Sequence, residues 1–178
     1  MTLEPNMPIE TLKITITGPE SSGKTTLARQ LAQTFDTRWV PEYAREYIDQ
    51  LERPYRESDL LEIARGQVAR EDEYAQKNQA LLFCDTSLEV IKIWSEFRFQ
   101  RCHPWILEQL QKRQPDLYLL CAPDLPWEYD PQRENPDDRD ALFDIYREEL
   151  AGQHVVEIWG EGEERIQLAT KAAESLRA

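Results

Sequence analysis

Eight consecutive residues, Gly18-Pro19-Glu20-Ser21-Ser22-Gly23-Lys24-Thr25, carry the clearest chemistry in the sequence. They fill every fixed position of G-x-x-x-x-G-K-[ST], the pattern of a loop that wraps phosphates with backbone N–H groups. The glycines permit backbone angles and close approach that a Cβ would block. A helix opening at about Gly23 adds unpaired N–H groups and the positive end of its dipole. Lys24 reaches the β- and γ-phosphates, and the Thr25 hydroxyl ligates Mg²⁺. Gly18, Glu20, Ser21, Ser22, Gly23, Lys24, Thr25 and Thr26 are therefore expected to hold a nucleoside triphosphate.

Asp85 is the second candidate. A carboxylate ending the apolar run Ala80 to Cys84 points into the crevice above a sheet, where it can hold Mg²⁺ opposite Thr25. The alternative is a cap, with Asp85 or Thr86 starting the next helix. Pro41-Glu42-Tyr43-Ala44-Arg45-Glu46-Tyr47 opens beside the same crevice. There Glu42 can take a proton from an attacking hydroxyl or bind sugar hydroxyls. Arg45 can steady a phosphate or carboxylate, and Tyr43 and Tyr47 can stack a planar base. A solvated helix with local Glu–Arg pairs is the competing explanation. Arg133 and Arg139 can close over a γ-phosphate, or can simply neutralise Asp130, Glu134, Asp137 and Asp138. Trp94, Phe97 and Phe99 recur at helical spacing and read as core.

These residues need a scaffold, and the flanking pattern supplies one. Thr11 to Thr17 alternates as a strand does, while Leu27, Ala28, Leu31, Ala32 and Phe35 give one apolar helical face. Further strands are expected at 37–40, 80–84, 116–121 and 155–159. Helices are expected at 42–51, from about Asp59 to Asn78 with Ser58 as cap, around Val90 to Phe97, at 104–113, around Leu142 to Leu150, and around Ile166 to Leu176. Strands alternating with helices imply a parallel sheet covered on both faces. Residues 124–138 lack apolar periodicity and read as a lid; long loops in compact domains are more often functional than idle. Residues 11–178 read as one domain, preceded by a flexible leader over 1–10 that lacks the pattern of a secretory signal.

A chain of 178 residues with 40% apolar and 31% charged residues is expected to form one soluble α/β domain. No apolar run approaches the roughly 20 residues that span a bilayer, so no membrane partner is expected. The net charge of −13 argues against a nucleic-acid partner, because phosphate backbones repel an acidic surface. Cys84 and Cys121 read as buried free thiols, consistent with a reducing, cytoplasmic compartment. His103 and His154 lack metal-ligand spacing.

The phosphate loop, Pro41-Glu42-Tyr43-Ala44-Arg45-Glu46, Asp85-Thr86, Trp127 to Arg133 and Asp138-Arg139 follow one another in a single order. This resembles the ribosylnicotinamide kinase domain of bacterial NadR proteins and their stand-alone relatives among P-loop ATPases, from Lys13 onward. The resemblance implies a P-loop fold of nucleotide-kinase type, with a five-stranded parallel sheet and a short lid. It also implies transfer of phosphate from ATP, with Mg²⁺, to the 5′-hydroxyl of nicotinamide riboside or a similar nucleoside. Lys24 and Thr25 would serve the phosphates and the metal, Asp85 the metal side, and Arg133 and Arg139 the lid. Two departures stand out. Pro41 replaces a Trp that the family often shows, and Asp85-Thr86-Ser87 replaces its common Asp-Thr-Asp. Two rival readings follow from the same residues: a kinase for ordinary or deoxy nucleosides, and a regulatory ATPase or switch. The switch would act through a protein partner, with residues 70–78 as the contact face.

Overall fold

The computed structural model describes residues 10–77 and 79–177, so most of the expected leader lies outside the described residues. The chain alternates as the periodicity requires. Strands β1 (Leu12–Thr17), β2 (Trp39–Val40), β3 (Leu81–Asp85), β4 (Leu117–Cys121) and β5 (Val155–Ile158) pair in parallel in the order β2-β3-β1-β4-β5. Helices are α1 (Lys24–Thr34), α2 (Tyr43–Asp49), α3 (Glu57–Ala75), α4 (Leu88–Phe99), α5 (Pro104–Lys112), α6 (Arg139–Glu149) and α7 (Gly162–Ser175). Parallel neighbours need a crossover between them, and the helices supply it.

Alternation along the strands decides what each face buries. Ile14 and Ile16 on β1, with Phe83 on β3 and Leu119 on β4, pack against Leu27 and Leu31 of α1 and Ala169 of α7. Each such large side chain contributes about 2 kcal/mol by leaving water. The other face carries Leu82 and Cys84 against α3, and Leu120 against Ile93 of α4 and Phe143 of α6. Lys13 of β1 also points to this side, where its ammonium meets Glu71 of α3 at 2.6 Å. Both faces are covered, and the carboxyl ends of β1 and β3 meet at one crevice.

Two expectations about helix ends need correction. α3 starts at Glu57 rather than after a Ser58 cap, because the Asp59 carboxylate accepts the Arg56 N–H at 2.6 Å and closes the first turn two residues earlier. It ends at Ala75 rather than Asn78, which is outside the described residues. At α4 the N-cap position is Ser87, whose hydroxyl donates to Glu71 at 2.7 Å, so neither Asp85 nor Thr86 caps that helix. Cys84 and Cys121 are buried thiols, as expected. His103 takes an ordinary role, with Nδ1 accepting the Trp105 N–H at 3.1 Å to cap α5.

Candidate active site

The phosphate loop bridges β1 and α1, and its shape depends on glycine. Gly18 has φ +133°, and a Cβ there would sit 2.5 Å from the Cys121 carbonyl oxygen. Lys24 Nζ donates to the Pro19 carbonyl at 2.6 Å, and Ser22 Oγ donates to the same oxygen at 2.7 Å. The loop thus curls around its own lysine. It opens on a cavity of about 800 Å³ lined by Gly18 through Thr26 and by Glu42, Arg45 and Arg133.

Thr25 Oγ1 donates to Asp85 Oδ2 at 2.6 Å, joining the first turn of α1 to the end of β3. Asp85 Oδ1 is buried with no hydrogen-bond partner among the described residues. Burial raises the Asp85 carboxyl above the usual range, against the Thr25 hydrogen bond and the Lys24 charge. Glu42 is raised too, by burial first and then by the negative charge of Asp85, with Lys24 and Arg45 pulling the other way. Two carboxylates crowded beside one lysine favour a further cation. A hydroxyl and a carboxylate with an unused oxygen suit Mg²⁺, which keeps waters and phosphate oxygens and needs few protein ligands. No cluster of three or more His, Cys, Asp or Glu placed to hold a metal occurs among the described residues.

The backbone between Asp85 and α4 is unusual. Thr86 has φ 64°, a conformation that costs a β-branched residue energy and is concentrated at functional sites. Gln67 of α3, 2% exposed, holds that turn from behind. Its Nε2 donates to the Thr86 carbonyl at 3.4 Å and to Glu71 Oε1 at 3.1 Å, while its Oε1 accepts the Tyr43 N–H at 2.9 Å. The start of α2, beside Glu42, is thereby tied to the turn after Asp85.

Residues 122–138 contain no helix or strand and lie against the loop. Glu20 accepts the Glu134 N–H at 3.1 Å and the Asn135 N–H at 2.9 Å. Ser21 Oγ donates to the Pro126 carbonyl at 3.3 Å and accepts the Glu128 N–H at 2.9 Å. Arg139 Nη1 donates to the carbonyls of Leu125, at 2.9 Å, and Ser21, at 3.3 Å. Arg133 Nη1 reaches Ser21 Oγ at 3.4 Å, and both guanidiniums lie over the Trp127 ring, 5.9 Å and 5.7 Å from its centre. From the opposite wall, Arg45 pairs with Asp130 at 2.8 Å.

Several residues fall elsewhere than expected. Tyr43 and Tyr47 do not line the cavity: they pack with the α3 cluster, and a Cβ at Gly66 would lie 2.1 Å from the Tyr43 ring. They are not placed to stack a base in the cavity, because α3 presents a glycine that draws the Tyr43 ring inward. Tyr47 instead donates to Asp59 at 3.0 Å. Trp94 and Phe99 pack against the α3 core cluster as expected, but with Phe97 they also line the cavity, beside Tyr55, Ile48 and Leu51. Phe97 is 43% exposed, and Tyr55 meets the Trp94 ring edge-on at 4.9 Å. α4 is apolar on two stripes, Leu88 and Ile91 toward the core and Val90, Trp94 and Phe97 toward the cavity. That double stripe is the signal in the sequence that could have found them. Arg165 of α7, which also touches the phosphate loop, had no such signal.

The trifunctional NAD biosynthesis and regulator protein NadR of Escherichia coli is 30% identical over 120 residues, 64% of this chain and 29% of that protein. NadR of Salmonella typhimurium matches to the same extent. A crystal structure of NadR in complex with NR superposes with a TM-score of 0.82 at 25% identity, over 93% of this chain and 51% of that one. A NadR structure in complex with NAD and AMP-PNP gives 0.78 at 24% identity, over 93% and 49%. Thymidylate kinase from Ehrlichia chaffeensis shares the fold at a TM-score of 0.54 and 17% identity, over 94% and 97%. This chain thus spans under a third of the curated relatives and about half of the NadR chains of known structure. The fold is the P-loop fold of nucleotide kinases, as the sequence suggested. The chain matches the AAA domain family over residues 13–165, and it belongs to that family.

Proposed function

We propose that this member of the AAA domain family is an ATP- and Mg²⁺-dependent phosphotransferase acting on the 5′-hydroxyl of nicotinamide riboside or a closely similar nucleoside. One observation carries the reading: a phosphate loop and an aromatic-lined chamber share a single cavity of about 800 Å³, large enough to seat donor and acceptor together. The likeness to NadR proteins, one of them in complex with NR and another with AMP-PNP, supports the choice of both substrates.

In this reading the loop N–H groups and Lys24 grip the triphosphate tail. Thr25 and Asp85 would hold Mg²⁺, which would supply charge neutralisation to the triphosphate. The acceptor's ring rests against Trp94 and Phe97, replacing the stacking surface that Pro41 lacks. Glu42 accepts the acceptor's O–H hydrogen bond and takes its proton as the new O–P bond forms and the bond from the γ-phosphorus to the β-bridging oxygen breaks. Arg133, carried by a lid over residues 124–138, and Arg139, just after it at the start of α6, stabilise the charge on the transferring group. Transfer to water is limited because the lid covers the loop.

A screen of nucleosides with Mg-ATP tests this. Nicotinamide riboside or a close analogue should raise ADP release far above the rate without acceptor. A rate indifferent to every nucleoside would contradict kinase activity, and a preference for thymidine or adenosine would move the assignment to ordinary nucleosides.

A further inference from the structure

Arg165 stands in the first turn of α7, 143 residues along the chain from the phosphate-loop residue it touches, and is 5% exposed. Its Nη2 donates to the Ser22 carbonyl at 2.7 Å and to the Ala122 carbonyl, just past β4, at 3.1 Å. Its Nη1 donates to the Gly160 carbonyl at 2.8 Å and to Asp124 Oδ1 at 2.9 Å. Asp124 Oδ2 in turn accepts the Gly160 N–H at 2.7 Å, so carboxylate and guanidinium hold each other in register. Nε is buried without a partner among the described residues, 3.8 Å from where a Cβ on Gly23 would lie. Stability alone explains such a group poorly, since a well-packed apolar side chain often does as well as a buried ion pair.

Its position explains it better. The described peptide bonds are all trans. In a trans peptide the C=O and N–H point in opposite directions. With the Ser22 carbonyl drawn onto Arg165, the N–H of the same peptide, on Gly23, is turned to the other side. One peptide earlier, Arg139 takes the Ser21 carbonyl at 3.3 Å and turns the Ser22 N–H in the same manner. Two arginines from separate helices thus take consecutive carbonyls of the loop.

We infer that Arg165 is a positioning residue of the phosphate loop: by fixing the Ser22 carbonyl it presets the Gly23 N–H as a donor to the phosphate tail. The inference rests on the proposed reading of the loop as a triphosphate site. Arg165 touches no transferring atom and acts through the peptide it orients. Its gain is preorganisation, because donors already aimed need not be ordered when the nucleotide arrives.

Calorimetric titration of Mg-AMP-PNP into the full chain and its variants tests this. Arg165→Met keeps the bulk and removes the donors, and should raise the Kd about tenfold to a hundredfold while the KM for the acceptor stays within about twofold. Arg165→Lys keeps the charge without the fork and should fall between. Asp124→Asn, which leaves Arg165 without its guide, should weaken nucleotide binding by a few fold. A merely structural Arg165 would lower the melting temperature of the nucleotide-free chain and leave the Kd unchanged. Should Arg165→Met fail to fold, the Lys and Asn variants carry the test. Nucleotide binding within about twofold of the parent in every variant that folds overturns the inference. A parent chain that binds no Mg-AMP-PNP would instead overturn the triphosphate reading itself.

Discussion

The two ends of the cavity are built in opposite ways. In the proposed reading the donor end is a single stretch, Gly18 to Thr26, joined to Asp85 by a 2.6 Å hydrogen bond from Thr25 and braced by Arg139 and Arg165 on the carbonyls of Ser21 and Ser22. The proposed acceptor end is assembled from separate places: Glu42 just before α2, Ala44 and Ile48 on α2, Tyr55 before α3, and Trp94 and Phe97 on α4. At the first, the proposed grip is made by backbone N–H groups, so the chain must be continuous and glycine-bearing. At the second, side chains from independent helices set size and shape, so any of them can change without disturbing the loop. In the proposed reading, phosphate binding belongs to the first region, while acceptor choice and the Glu42 proton step belong to the second.

That division is open to direct attack. Lys24→Ala should have the largest effect, lowering turnover about a thousandfold or more by removing the charge at the γ-phosphate; activity near the parent's would contradict the donor end. Glu42→Gln comes next, at about a hundredfold in kcat. Because the Glu42 carboxyl is raised above its ordinary range, the rate should climb with pH as Glu42 loses its proton, and the acid limb should lie above that of an ordinary Glu. The Gln variant should lose that limb, which a pH–rate profile reads directly. Phe97→Ala should raise the acceptor KM about tenfold and leave the nucleotide Kd alone, since a stacked base is worth about 1–3 kcal/mol. If the same variant weakened nucleotide binding equally, the two ends would not be independent.

The smallest effect concerns neither end. Glu89 of α4 is 1% exposed, and burial pushes its carboxyl up to about 7. The unfolded chain ionises it near its ordinary value of 4.5, so folding favours the protonated form. Its contribution to stability is complete below that pH and is lost as pH rises through about 7. Glu89→Gln should therefore raise the melting temperature by a few degrees at pH 8 and by little at pH 4. Thermal melts at the two pH values check this, and both substrates should bind as before.

The same contrast explains what the sequence disclosed. The donor end was legible because its chemistry depends on consecutive residues with fixed backbone demands. The five strands were legible because their apolar runs are short and bounded. At the acceptor end, periodicity could show that Val90, Trp94 and Phe97 share a face of α4, yet not whether that face meets core or cavity. Tyr43 reads from sequence as a candidate base-stacking residue because nothing local reveals that Gly66, across on α3, leaves room for its ring. The Ser58 cap failed for a similar reason, since the Asp59 side chain offered a better closure to Arg56. Arg165 and Gln67 act over distances in sequence that no spacing rule covers. Contacts made by side chains from afar need coordinates; contacts made by a continuous backbone do not.

The most direct test mixes the chain with Mg-ATP and nicotinamide riboside and follows phosphorus by NMR. The γ-phosphate signal should give way to a phosphomonoester on the nucleoside, with ADP formed in equal amount and nothing comparable from Lys24→Ala. Release of inorganic phosphate alone, at a rate the nucleoside does not change, would contradict phosphoryl transfer to an acceptor in this cavity.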